Sequence, residues 1–167
     1  FITLVAESQN LVVVHPSFPP KSVKELIAFS KKQPPGSINY GSSGTGTTVH
    51  LSAELFQFMT GIKWTHIPYK GGGPAVIELL AGQHVIYFGN VPTVIGYARA
   101  GKLRALATTG PKRTPAAPDI PTVAEAGVPG YEVTTFYGLS APAKTPRPSI
   151  DRLHSESVRV LISPDVR

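Results

Sequence analysis

Asn39-Tyr-Gly-Ser-Ser-Gly-Thr-Gly-Thr-Thr-Val-His-Leu51 decides how the rest of the chain is read. The run Ile38 to Tyr40 reads as the end of a strand, and glycines and hydroxyl residues follow it. Leu51, Leu55, Phe58 and Met59 then recur at helical spacing, which predicts a helix with those residues on its apolar stripe. Strand, Gly/Ser/Thr loop and helix form a geometry suited to an anion. Glycine lets the backbone approach a ligand closely. The first N–H groups of a helix lack intrahelical partners and sit at the positive end of its dipole. Ser42, Ser43, Thr45, Thr47 and Thr48 add neutral hydroxyl donors, and a carboxylate is the simplest guest. An ordinary Gly-rich βα turn with a hydroxyl N-cap would carry the same residues.

Three sharper motifs are absent. A phosphate-binding P-loop needs Gly-Lys-Ser/Thr, and no lysine lies between Lys32 and Lys63. The dinucleotide pattern opens at Gly44 and Gly46 but meets Val49 where Gly or Ala belongs. The nucleophile elbow has Gly41 and Ser43, but Thr45 replaces its second glycine.

Outward from this stretch, strands and helices alternate. Phe1–Val5 and Leu11–His15 read as two strands. Ser22 and Glu25 form a capping box for a helix carrying Val23, Leu26 and Ile27, stopped by Pro34-Pro35-Gly36. Ser37–Tyr40 is the next strand; Gly61 reads as the C-cap of the following helix. Ile62–Pro68 is a strand leading to Tyr69-Lys70-Gly71-Gly72-Gly73, after which Pro74 opens a third helix closed by Gly82. Val85–Phe88 is a continuous apolar strand, buried on both faces, with Gly89-Asn90 at its end. Pro92–Ala100 is a short helix and Leu103–Thr108 another strand. Thr122 and Glu125 form a second capping box and predict a brief helix ended by Gly127. Tyr131–Leu139 is a strand, and a last helix starts near Ser149 with Ile150, Leu153, Val160 and Leu161, running into Pro164.

Such alternation argues for an α/β fold with a largely parallel sheet flanked by helices. In these sheets ligands gather beyond the carboxyl ends of the strands. Tyr40–Thr48, Tyr69–Gly73 and Gly89–Asn90 all fall at such ends.

The totals bound the classes. The 167 residues suffice for one core, and 41% apolar residues is ordinary for a globular chain. No apolar run approaches the roughly 20 residues of a membrane span. There is no cysteine, so disulfides are excluded. The net charge is +6, but the basic residues are scattered, densest only as Lys31-Lys32 and Lys112-Arg113, so no nucleic-acid partner is expected. Mild attraction for acidic solutes is expected instead. The histidines His15, His50, His66, His84 and His154 never pair at i, i+4, so no helical metal motif and no metal is expected. His50 reads as a packed or capping residue with a ligand contact as its alternative; His66 reads as structural, and Trp64 and Tyr69 as packing. Lys70 is placed to neutralise a carboxylate, although a solvated loop lysine is the commoner case. Phe1 is not a natural first residue, which suggests a fragment or a processed chain.

INYGSSGTGTTVHLSAEL (Ile38–Leu55), HIPYKG (His66–Gly71), GKLRALATT (Gly101–Thr109) and DIPTVAEAGVPGY (Asp119–Tyr131) together resemble the Bug family, the extracytoplasmic receptors of tripartite tricarboxylate transporters. VVVHPSFPPKSVKELI and YGLSAPAKTP fit as well, so the resemblance covers essentially the whole chain in order. It implies a periplasmic-binding-protein-like lobe that captures a small organic carboxylate in the periplasm. Its implied partners are the membrane components of the transporter and a first lobe missing from this chain; no cofactor is implied. It also implies an organisation: residues 1–9 as a strand crossing between lobes, 10–132 as the second lobe, and 133–167 as the return crossing and a truncated helix belonging to the first lobe. Ser42, Ser43, Gly44, Thr45, Gly46 and Thr47 match the loop that grips a ligand carboxylate, Tyr69, Lys70 and Gly71 a segment at the cleft, and Asn90 the polar residue after the buried strand. Gly89 departs from the acidic residue of many relatives, which bears on which acid is bound more than on the class.

Two readings of other classes compete. One is a hydrolytic enzyme with Ser43 or Ser42 as nucleophile and His50 or His66 as base. The other is a lobe that self-associates through its exposed cleft and final helix.

Overall fold

The computed structural model describes residues 1–163, which divide into two compact units, Gln9–Thr134 and Phe1–Ser8 with residues 135–163. The larger unit holds strands β1 (Thr3–Val14, its second half), β2 (Asn39–Ser42), β3 (Thr65–Pro68), β4 (Ile86–Asn90) and β5 (Arg104–Thr108). Their order is β3-β2-β4-β1-β5. β2 runs parallel to β3 and β4, whereas β1 is antiparallel to both β4 and β5. Four strands therefore point one way and β1 alone points the other, giving the mostly parallel sheet of a periplasmic-binding-protein-like lobe.

Four helices cover this sheet: α1 (Val23–Lys32), α2 (Thr48–Thr60), α3 (Gly72–Leu80) and α4 (Val91–Arg99). The strands β1, β4 and β5 are apolar on both faces, so each feeds two cores. Val12, Val14, Ile86 and Phe88 pack with Leu26, Phe56 and Trp64 beneath α1 and α2. Leu11, Val13 and Tyr87 pack with Ala75, Leu79 and Val94 beneath α3 and α4. Each large side chain so buried contributes about 1.5–3 kcal/mol.

Local chemistry sets the element ends. Ser22 Oγ accepts from Glu25 N at 3.2 Å, while the Glu25 carboxylate reaches back to Lys21 N at 2.9 Å. Gly61 ends α2 in the left-handed region, at φ 69°. The smaller unit contains the first half of β1 paired with β6 (Thr134–Leu139), and α5 (Arg147–Leu161), on which no residue is buried. His154 Nδ1 donates to the Ile2 carbonyl at 3.0 Å within it. The sequence reading carried this helix on through Arg167; residues 164–167 lie outside those described. No described helix is long and apolar enough to cross a membrane.

Several expectations are corrected. Phe1–Val5 and Leu11–His15 are not two strands; Thr3–Val14 is one continuous strand. Helix α3 begins at Gly72, two residues before Pro74, because Gly71 at φ 109° makes the turn. β3 starts only at Thr65, and β2 extends through Gly41 and Ser42, which the sequence reading gave to the loop. The Thr122–Glu125 capping box forms, with bonds of 3.0 and 3.1 Å, but closes a turn and no helix. The α2 stripe is also rotated. Val49, Ser52, Ala53, Phe56 and Gln57 are buried, while Leu51 is 51% and Phe58 85% exposed. Ser52 and Gln57 go inside because their polar atoms are satisfied there: Asn10 Nδ2 donates to Ser52 Oγ at 2.9 Å, and Trp64 N to Gln57 Oε1 at 2.6 Å.

Candidate functional site

Because β2, β3 and β4 are parallel, the helices that follow them all start at one edge of the sheet. α2, α3 and α4 begin there, and none carries an acidic residue in its first turn. Helix α1 follows the reversed β1, so its start falls at the opposite edge, and it does carry one, Glu25. The positive dipole ends at the carboxyl edge are thus left uncompensated by the chain itself.

The loops between these strands and helices are joined. Tyr69 N donates to Ser42 O at 3.0 Å, and Gly71 N to Ser43 O at 3.1 Å. This lays the Tyr69–Gly71 segment against the 42–47 loop. Gly44 and Gly46 occupy φ values of 134° and 81°, which residues with a Cβ rarely adopt. Ser43 Oγ donates to Thr47 Oγ1 at 3.2 Å, and Thr47 Oγ1 donates to Gly44 O at 2.7 Å while accepting from His50 N at 3.4 Å. The Tyr87 phenol also bonds Ser43; burial pushes its pKa up to about 12, with that bond opposing. Tyr87 Oη lies 3.5 Å from where a Cβ on Gly72 would stand, and Thr93 lies at 3.8 Å, so the starts of α3 and α4 meet here too.

The expected residues are not equivalent. Thr45, Gly46 and Lys70 are exposed; Ser43, Gly44, Thr47, Tyr69 and Gly71 are half-buried. Ser42 is fully buried at the end of β2, where its Oγ accepts from Gly44 N at 3.1 Å and meets His66 Nε2 at 2.6 Å. Asn90 begins α4 and donates to Asn10 Oδ1 at 2.9 Å. Above Gly89, the Tyr87 ring and Val94 would stand 2.5 and 2.6 Å from any Cβ, so this backbone has no room for an acid.

The sequence reading did not name Asn10, Tyr87 or Glu54 at this edge, and gave Tyr40 a place there but no role. Asn10 was legible as a polar residue directly before the buried Leu11–Val14 run, and Glu54 as the residue one turn beyond His50. Tyr40 Oη donates to Glu54 Oε1 at 2.5 Å, and burial followed by that contact holds the phenol above its usual range. A cavity of about 600 Å³ lies away from the carboxyl edge, beside Arg104, whose guanidinium is spent on the Pro16, Phe18 and Pro20 carbonyls.

Two histidines are held below the usual imidazole range. Burial lowers His66, reinforced by His50 and opposed by Glu54. Burial also lowers His84 and outweighs its contacts to the Ala75 and Ile86 carbonyls. A depressed imidazole is neutral when folded, so the unfolded chain takes up protons first as pH falls. The stability is present above about pH 6.5 and is lost as pH falls from there through the folded values. Thermal unfolding at about pH 5 is therefore expected to have a lower midpoint than at about pH 7.5; a flat profile would show that neither ring is held neutral.

A mostly parallel α/β lobe with three acid-free helix starts around a Gly/Ser/Thr loop is the lobe of a solute-binding protein. The chain matches the tripartite tricarboxylate transporter family receptor model, TctC, over residues 1–167, and it belongs to that family. It is 36% identical over 144 residues to Protein BugT of Bordetella pertussis, covering 86% of this chain and 44% of BugT. Its fold is similar to an R. palustris protein solved with adipate (TM-score 0.92, 38% identity, 99% of this chain and 55% of that one). It is equally similar to MatC of Rhodopseudomonas palustris with bound malate (TM-score 0.92, 31% identity, 99% and 56%). The chain spans about half the length of the curated relatives it matches. Family members are receptors and periplasmic binding proteins, and the comparisons give the hydrolase alternative no support.

Proposed function

We propose that this chain supplies the carboxylate-gripping lobe of a periplasmic receptor, which captures a small organic acid unchanged and presents it to the membrane components of a tripartite tricarboxylate transporter. The observation that carries this reading is the convergence of three helix starts without a single first-turn acid on the donor-rich 42–47 and 69–71 loops. Each such terminus favours an anion by about 0.3–1 kcal/mol, and each hydrogen bond to its charge adds about 1.5–3 kcal/mol. Ser43, Gly44, Thr45, Gly46 and Thr47 form the grip, with Tyr69, Lys70, Gly71 and Asn90 around it. The exposed Lys70 steers acids toward the edge. Ser42 supports the loop from behind through His66. Adipate and malate in the similar structures favour a dicarboxylate. Residues 1–9 and 133–142 would then be the crossings to a first lobe, and the helix from residue 149 would dock on it. This reading needs no catalysis: Ser43 faces Thr47 and Tyr87, and Ser42, although it meets His66 at 2.6 Å, is fully buried and accepts from Gly44 N.

Calorimetric titration of the full-length receptor with mono-, di- and tricarboxylates is the test; no heat with any of them would end the proposal. With the best acid, Ser43→Ala is expected to weaken binding by about 0.5–1.5 kcal/mol, the usual worth of one hydrogen bond. Unchanged affinity would remove Ser43 from the grip.

A further inference from the structure

Behind the proposed carboxylate loop lies a cluster of side chains of which the proposed function uses only Ser42 and His66. His50 on α2 and His66 on β3 stack with ring centroids 4.1 Å apart at 28°, and Tyr40 of β2 stacks on His66 at 4.9 Å. Each ring is tied to one of the two left-handed glycines. Gly46 N donates to His50 Nδ1 at 3.2 Å. Gly44 N donates to Ser42 Oγ at 3.1 Å, and that hydroxyl meets His66 Nε2 at 2.6 Å. Glycine has the widest backbone freedom of any residue, so these bonds, with the Thr47 bonds to the Gly44 carbonyl, help select the loop's conformation.

The bond from Gly46 fixes the chemistry of His50. A nitrogen that accepts an N–H carries no proton, so His50 is the neutral tautomer with its hydrogen on Nε2. The Nε2 atom stands 4.0 Å from Glu54 Oε1, which already accepts from Tyr40 Oη and Gln57 Nε2. The groups facing the pair are Glu54 and Gln57 from α2, Tyr40 and Ser42 from β2, and the Gly46 amide from the loop. A second proton on His50 would set two N–H groups against each other and break the Gly46 bond. It would also place a cation against the neighbouring ring. Burial, and then the nearness of His50, lowers the affinity of His66 for protons, so His66 stays the neutral member of the stack.

We propose that His50 is a positioning residue for ligand capture: its neutral Nδ1 latches Gly46, the stacked His66 latches Gly44 through Ser42, and protonation of His50 opens the latch and weakens the hold on the acid. This rests on the proposed carboxylate reading, and the substitution that isolates it is His50→Asn. An asparagine amide oxygen stands near the place of Nδ1 and accepts the same N–H, but it neither titrates nor stacks. His50→Leu fills the space and accepts nothing.

Adipate and malate are titrated into the full-length receptor at about pH 7.5 and about pH 5.5. The wild type is expected to lose about five- to tenfold more affinity between the two than His50→Asn does. Titration of the acid itself is common to both proteins and cancels. At the higher pH His50→Asn stays close to wild type and His50→Leu falls about five- to tenfold. An asparagine variant with the wild-type pH dependence, or a leucine variant with wild-type affinity, overturns the proposal. If neither acid binds the wild type at either pH, the carboxylate reading fails for these probes, and nitrogen NMR of the ligand-free receptor decides the latch alone. His50 Nδ1 is expected to be unprotonated at the higher pH, and the Gly46 amide signal to follow the His50 titration; a Gly46 signal indifferent to it overturns the proposal.

Discussion

Thr47→Asp is expected to leave the lobe folded and to cost the receptor its ligand. Thr47 is the N-cap of α2, and its Oγ1 accepts from His50 N. Aspartate is at least as good a cap as threonine, and its charge complements the helix dipole, so unfolding by denaturant should show equal or slightly greater stability. In the proposed reading, the same charge stands where the ligand carboxylate is gripped. Two like charges about 5 Å apart near a protein surface repel by roughly 3 kcal/mol at an effective dielectric of about 20, which corresponds to more than a hundredfold in affinity. The measurement is a pair of titrations, one with denaturant and one with the best acid of the panel. Retained binding would mean that the ligand carboxylate lies elsewhere. Lost stability would mean that Thr47 serves the loop mainly through its bond to the Gly44 carbonyl.

Gly41→Ala is expected to act in the opposite sense, on the fold and only through it on binding. A Cβ at Gly41 would lie 2.4 Å from His84 Cε1 and Nε2 and 2.9 Å from Cδ2. The ring has little room to swing away, because it is 1% exposed and its two nitrogens stand 3.0 and 3.1 Å from the Ala75 and Ile86 carbonyls, to one of which the neutral ring donates. Overpacking of this kind costs about 1–3 kcal/mol, and displacing the ring forfeits hydrogen bonds worth about 1 kcal/mol each. The thermal midpoint of the receptor should fall by roughly 5–10 °C. His84→Ala in the same chain should recover part of the loss, since the two sites are coupled by contact. An unchanged midpoint would show that β2 can yield.

Most of the fold was legible because its signals are local. Pro34-Pro35-Gly36, Gly61 and Gly101 end elements by backbone chemistry that needs no partner. The direction of β1 was not legible: Leu11–Val14 is buried on both faces and would read identically in either sense. The face of α2 was misread because hydropathy counts Ser52 and Gln57 as surface residues, and only a distant Asn10 and Trp64 make them core. At the candidate site the loop residues stood out, but the disposition of their hydroxyls did not. Whether a serine donates to a ligand or to a histidine 24 residues away, as Ser42 meets His66, is a fact of three dimensions. The pairing of His50 with His66 was hidden for the same reason.

The reversed strand also has a kinetic meaning. β1 is the first strand of the chain, yet it lies between β4 and β5. Asn10 meets Asn90, 80 residues later, and Leu11 meets Thr108. Closing such loops before any contact rewards them slows folding. The middle of the sheet therefore stays open until β5 is available, and partial chains expose the apolar Leu11–Val14 run on both faces. Nearly the whole larger unit has to be made before any of it is secure, which favours a single late, cooperative collapse over stepwise assembly from the N-terminal end.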